Sequence, residues 1–178
     1  MQTLAKLNYH GAPFLFCYGI TWGICGFLWD KQPDKVAAYA TLFQGLVALP
    51  FALGISYLIG SFSQRPGGEI ITRLSVLIAM SQLLVLPILI VFHIKKQYTM
   101  IPFIFSIVSS IHFIAYTWLY QTFFYILMSC AISIGAAVIY YITLQENRSH
   151  PDASSASKVC FLTSAAMLIT AMGLLVIH

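Results

Sequence analysis

Residues 74–92, LSVLIAMSQLLVLPILIVF, contain no Asp, Glu, Lys or Arg, and from Leu83 to Val91 every residue is apolar. A half-buried strand alternates polar and apolar side chains, and a buried strand is far shorter than this run. About 17–25 such residues are what an α-helix needs to cross a hydrocarbon core roughly 30 Å thick. In that core every backbone N–H and C=O must be satisfied within its own segment, so the stretch reads as a membrane-spanning helix.

The pattern recurs on both sides. Stretches 13–29, 36–59, 99–119, 122–144 and 159–177 are equally free of charged side chains, and all the charged residues fall in the gaps between. A charge in hydrocarbon costs several kcal/mol, which makes this segregation the mark of a bilayer. The chain is 60% hydrophobic and 8% charged, against roughly 25% charged residues in an ordinary soluble domain. The expected fold is an all-α bundle of six transmembrane helices in one integral membrane domain, with up-and-down topology. The longest polar stretch, Gln145–Lys158, is too short to bury a core of its own. An apolar run after Lys6 that fills a whole span, without a small-x-small cleavage site before Asp30, reads as a retained first helix.

Short connections separate the spans. Pro33 and Asp34 suit the opening of the second helix, and Arg65-Pro66-Gly67-Gly68 is a turn by composition. A single helix from Thr99 to Leu144 would measure about 69 Å, so the chain has to reverse near Tyr120-Gln121. Ser155 or Ser157 is the expected cap of the last helix. Pro50, Pro87 and Pro102 are expected to interrupt the second, third and fourth helices. Gly19 and Gly23, with Gly26 on a neighbouring face, let the first helix pack closely, and Ser129, Ser133 and Gly135-Ala136-Ala137 of the fifth offer a partner surface.

An even number of spans places both termini on one side. That side carries Lys6, Arg65 and Arg73; the other carries Lys31, Lys35, Lys95, Lys96, Arg148 and Lys158. The positive-inside rule then sets the termini outside and the first, third and fifth loops in the cytoplasm, where the Asn147-Arg148-Ser149 sequon receives no glycan. A formal charge of +4 without a clustered basic face points to the lipid bilayer as partner and not to nucleic acid.

Chemistry-bearing residues are few. His112 is the histidine within a span, about 10 Å from the end of its helix at Leu119. Tyr116 and Ser109 share its face, and Gln82, Ser81 and Gln44 are polar groups on other helices that need partners. An intramembrane ionisable group is either interhelical glue or a functional group, so His112, Tyr116 and Gln82 form the candidate polar binding spot. His93 lies at the opposite depth, some 20 Å from His112 by helix rise, so the two cannot share an iron. Neither His10 nor His178, both near chain ends, makes a preformed site with it, and no cofactor or metal is expected. Cys17 and Cys25 are about 12 Å apart along one helix, too far for a disulfide, and no CxxC pair occurs. Gly-x-Ser-x-Gly and His-Glu-x-x-His are absent, and the carboxylates Asp30, Asp34, Glu69, Glu146 and Asp152 all lie in loops. Tyr116, Trp118, Tyr120 and Tyr125 read as an interfacial belt.

Three segments carry a family likeness: Ser81-Gln82-Leu83-Leu84-Val85-Leu86-Pro87, Tyr98-Thr99-Met100-Ile101-Pro102, and Ile111-His112-Phe113-Ile114-Ala115-Tyr116-Thr117-Trp118-Leu119-Tyr120. With the stretch 46–59 around Pro50, they resemble DUF7010, a family of small bacterial integral membrane proteins of unknown function. The chain has Ile111 before the histidine and Ala115 before the tyrosine, where the family pattern has a small residue and a proline. The resemblance implies a bacterial inner-membrane, multi-pass protein and assigns no activity. Three functions stay open. One is a permease-like or accessory component, working as a homo-oligomer with an unidentified small-molecule substrate. Another is a membrane-embedded enzyme with His112 as acid–base group. The last is an assembly partner docked through the glycine face of the first helix.

Overall fold

The computed structural model describes residues 9–60, 68–146 and 151–177. Lys6, the Arg65-Pro66-Gly67 turn, the Asn147-Arg148-Ser149 sequon and His178 lie outside the described residues. A 3-10 turn, Tyr9–Gly11, leads into α1 (Ala12–Lys31), followed by α2 (Asp34–Leu58). The third span is composite: α3 (Gly68–Ser81), a 3-10 segment (Gln82–Val85) and α4 (Leu86–Ile94). Then come α5 (Met100–Tyr120), α6 (Phe124–Gln145) and α7 (Ala153–Val176). Among the described residues, six helical stretches are long and apolar enough to cross a membrane, the third running Val76–Ile94 through the 3-10 segment. The all-α, six-helix architecture read from hydropathy is the one observed.

Local chemistry sets the helix ends. Pro33 precedes α2, and its carbonyl receives the N–H groups of Val36 and Ala37 at 2.8 and 3.1 Å. Gln121, with φ 53° in the left-handed region, stops α5 and reverses the chain into α6. The last helix starts at Ala153, earlier than hydropathy places it. Asp152 caps it, accepting from Ser155 N–H at 2.9 Å and from Ser155 Oγ at 2.7 Å. Ser155 and Ser157 are therefore not the cap. Both are buried, bonded to Thr143 Oγ1 at 2.8 Å and to the Gly26 carbonyl at 3.1 Å, so a polar first turn is satisfied by neighbouring helices.

The prolines behave less uniformly than expected. Pro102 is the third residue of α5, where an N–H has no intrahelical acceptor, so it interrupts nothing. Pro50 sits inside α2, which continues through it as one helix. Only Pro87 coincides with a break: it opens α4 at the point where the 3-10 segment ends.

The most extensive helix–helix interface joins α1 to α7. Gly19, Gly23 and Gly26 face Leu168, Ser164 and Phe161 of α7, where an added β-carbon would lie 2.8, 3.0 and 2.9 Å from those side chains. Ser164 Oγ donates to the Gly19 carbonyl at 2.7 Å. The partner of the glycine face is thus α7, not α6. On α6, Ser133 bonds Ser110 Oγ of α5 at 2.8 Å, Ser129 donates to the Ser110 carbonyl, and Gly135 receives Leu162 of α7. This interface also occupies the surface proposed for docking another protein.

In α1 and α7 44% of the most apolar window is buried, against 12% in the third span, which is therefore peripheral. The outer surface is apolar, with Leu46, Leu84 and Val176 between 71% and 84% exposed. Continuous apolar exposure on this scale suits a hydrocarbon solvent and not water.

Candidate functional site

The site is built where the broken third span meets α5. Pro87 has no N–H to donate to the carbonyl four residues earlier, Leu83, and the N–H of Leu86 takes that carbonyl in a tighter 3-10 bond. Within the Val76–Ile94 span this change of winding falls near the middle. Ser81 and Gln82 lie at the break and face α5.

On α5, Ser109, His112 and Tyr116 recur at helical spacing along one face. Ser81 Oγ lies 3.0 Å from His112 Nδ1, and Gln82 Nε2 donates to Ser109 Oγ at 2.8 Å. The Ser81 hydroxyl also donates to the Ile78 carbonyl at 2.7 Å. Its single proton is committed there, so the geometry assigns the His112 proton to Nδ1, donating to Ser81 Oγ. Nε2 is then left with its lone pair available. Phe113 and Tyr116 present themselves edge-on to the imidazole, with centroids at 5.6 and 5.4 Å. Such a site can accept a proton or a hydrogen bond at Nε2, while Ser81 and the glutamine–serine pair fix the ring in place.

The three residues singled out from sequence are thus close together, although their pairing is crossed: His112 bonds Ser81, and Gln82 bonds Ser109. Gln44 is not part of the site. It is buried, and its Oε1 has no hydrogen-bond partner.

Tyr116 also belongs to a stack of rings running away from the break. Its centroid is 5.8 Å from Tyr120 and 5.9 Å from Tyr125, and Phe113 lies 6.3 Å from Tyr125. Tyr120 and Tyr125 are buried, so the expected interfacial belt reduces to Trp118, which is exposed. The difference arises because α5 and α6 turn their aromatic faces toward each other. Tyr125 OH donates to the His10 carbonyl at 2.5 Å, and His10 Nδ1 lies 3.3 Å from the Tyr120 carbonyl oxygen. These contacts hold Tyr9, His10 and Gly11, all at positive φ, against the stack.

Hydropathy gave no sign of two features: the Ser110–Ser133 pair between α5 and α6, and a contact of 3.1 Å between Tyr39 OH and His93 Nε2. Serine–serine register between helices and tyrosine–histidine pairing across spans leave no local pattern. A cavity of about 310 Å³ lies at the α6–α7 loop, bordered by Thr143, Glu146, Asp152 and Lys158, at the other end of α6 from the aromatic stack. Among the described residues no group of three His, Cys, Asp or Glu side chains is placed to hold a metal ion.

A model of a family of unknown function, DUF7010, matches residues 2–176, and the chain belongs to that family. No curated protein and no solved structure matches it.

Proposed function

We propose that this DUF7010 member is a small multi-pass protein of a bacterial inner membrane, a permease-like or accessory component. Its binding spot is the break in the third span, with His112, Tyr116 and Gln82 among its walls. One observation carries the reading: mid-span, where polar groups are costly, the helix tightens from α to 3-10 winding, and the two polar residues at that change bond across to His112 and Ser109. Transporters build their sites near the bilayer midplane, typically where a helix departs from regular α geometry. The spot carries no formal charge, so it fits a neutral polar ligand or a proton better than an ion of either sign. A chain this small would work as a homo-oligomer, with several copies assembling the pathway.

The loop lysines favour termini outside and the α1–α2 loop in the cytoplasm. A reporter fused after α7 tests this: a cytoplasmic signal overturns the orientation.

The pathway is tested by cysteines placed at Ser81 and Ser109 in a background lacking the four native thiols. A charged, water-soluble thiol reagent should modify both in intact membranes. Complete protection at both positions overturns the permease-like reading and leaves a sealed bundle.

A further inference from the structure

At its far end the third span meets α2, and there Tyr39, His93 and Tyr98 form a second polar cluster. The Tyr39 hydroxyl lies 3.1 Å from His93 Nε2, and the rings of Tyr39 and Tyr98 flank the imidazole at 4.9 and 5.3 Å. His93 Nδ1 is enclosed without a hydrogen-bond partner. An enclosed N–H left unpaired costs more than an enclosed lone pair. The proton therefore sits on Nε2 and is donated to the Tyr39 oxygen, which turns the tyrosine's own O–H away from His93. Tyr39 is an exposed side chain, so that hydrogen points outward.

Three exposed lysines lie within four residues of Tyr39 or His93 along the chain. Lys35 precedes Tyr39 by one turn on the same face of α2. Lys95 and Lys96 follow His93 closely, and the chain does not trail away there. Lys96 takes φ 56°, its N–H bonds to the His93 carbonyl and that of Gln97 to the Phe92 carbonyl, both at 3.0 Å. That tight C-terminal turn keeps both lysines at the end of α4. Asp34, the neighbouring carboxylate, is also exposed and lies about 100° round α2 from Lys35. Further into the membrane, α2 and α4 present exposed apolar side chains, with Phe43 stacked on Tyr39 at 6.3 Å and Ile90 one turn below His93.

A cationic, hydroxyl-bearing rim above a two-helix apolar wall has the polarity profile of an anionic phospholipid. We propose that Lys35, Tyr39, Lys95 and Lys96 bind the phosphate of such a lipid, whose acyl chain lies along Phe43 and Ile90. This inference is independent of the reading of the break.

The test titrates the purified protein in detergent with phosphatidylglycerol and with phosphatidylcholine of the same chains, following bound lipid by native mass spectrometry. Phosphatidylglycerol should bind preferentially. Each lysine near a membrane surface contributes about a fivefold factor, so K35Q/K95Q/K96Q should weaken phosphatidylglycerol binding roughly 100-fold. Tyr39→Phe keeps the ring beside His93, removes the outward donor and should cost several-fold. K31Q/K158Q, on the same side of the bundle, should retain wild-type binding. Unchanged affinity in the triple variant or in Tyr39→Phe, equal binding of the two lipids, or an equal loss in K31Q/K158Q overturns the proposal. Binding of inorganic phosphate to this cluster with no preference for phosphatidylglycerol would likewise exclude a lipid as occupant.

Discussion

Replacing Gly26 by Ala tests the packing on which the bundle depends. The added methyl would lie 2.9 Å from two atoms of the Phe161 ring and 3.0 Å from a third. Comfortable carbon–carbon contact begins near 3.5 Å, so α1 and α7 would have to separate by roughly 0.5 Å or more. The Phe161 ring packs edge-on against Phe27 at 5.0 Å, so moving it aside instead would cost that contact. Overpacking of this sort costs about 1–3 kcal/mol. Stretching the Ser157 bond to the Gly26 carbonyl adds about 0.6 kcal/mol, and alanine's better helix propensity returns about 1 kcal/mol. The net loss is roughly 0.6–2.6 kcal/mol. At about 2–4 °C per kcal/mol for a chain of this size, the melting temperature should fall by several degrees. The assay is thermal unfolding of detergent-purified variants, with Gly54→Ala as the internal control. No atom stands within 4 Å of a methyl at Gly54, so that variant should melt at or slightly above wild type. Trimming the obstacle, with Phe161→Leu added to Gly26→Ala, should recover part of the loss. A Gly26→Ala protein as stable as wild type would refute the account of the α1–α7 interface.

Asp152→Ala should cost about 1 kcal/mol in the same assay and Asp152→Asn much less, since the cap needs only an acceptor for Ser155 N–H. Pro102→Ala should shift stability by less than about 0.5 kcal/mol, because the restored N–H has no intrahelical acceptor. For His112→Gln the side-chain amide can still donate to Ser81, so stability should change by less than about 1 kcal/mol, while proton uptake at this position is lost. In a reconstituted proton-flux assay, unchanged activity together with lowered thermal stability would exclude a proton-transfer role.

Span number and helix type were readable from the chain because hydrocarbon imposes them on composition residue by residue. Helix ends were less so. The segment from Ala153 to Lys158 looks like loop because it is serine-rich, yet its hydroxyls are consumed by Thr143 and the Gly26 carbonyl, partners distant in sequence. The glycine face of α1 was visible; its partner was not, since small residues on α6 and α7 advertise the same capacity and only three-dimensional pairing selects between them. His112, Gln82 and Tyr116 stood out because polar groups within apolar runs need partners. Their actual bonding depended on a 3-10 segment whose sole local signal was Pro87. The proline pattern alone did not distinguish that break from the harmless Pro50 and Pro102.

The bond between Ser164 and the Gly19 carbonyl closes a sequence separation of 145 residues. A ribosome adding about 5–20 residues per second needs roughly 7–30 s between making one partner and making the other. Throughout that interval the glycine face of the first helix lacks the α7 side chains that fill it. Inserting the last helix is therefore the step that locks the assembly, and truncations removing it should be recognised by membrane proteases even with the first five spans intact. The same adjacency predicts that a circular permutant joining the end of α7 to the start of α1 would put the two partners next to each other in synthesis and mature without that delay.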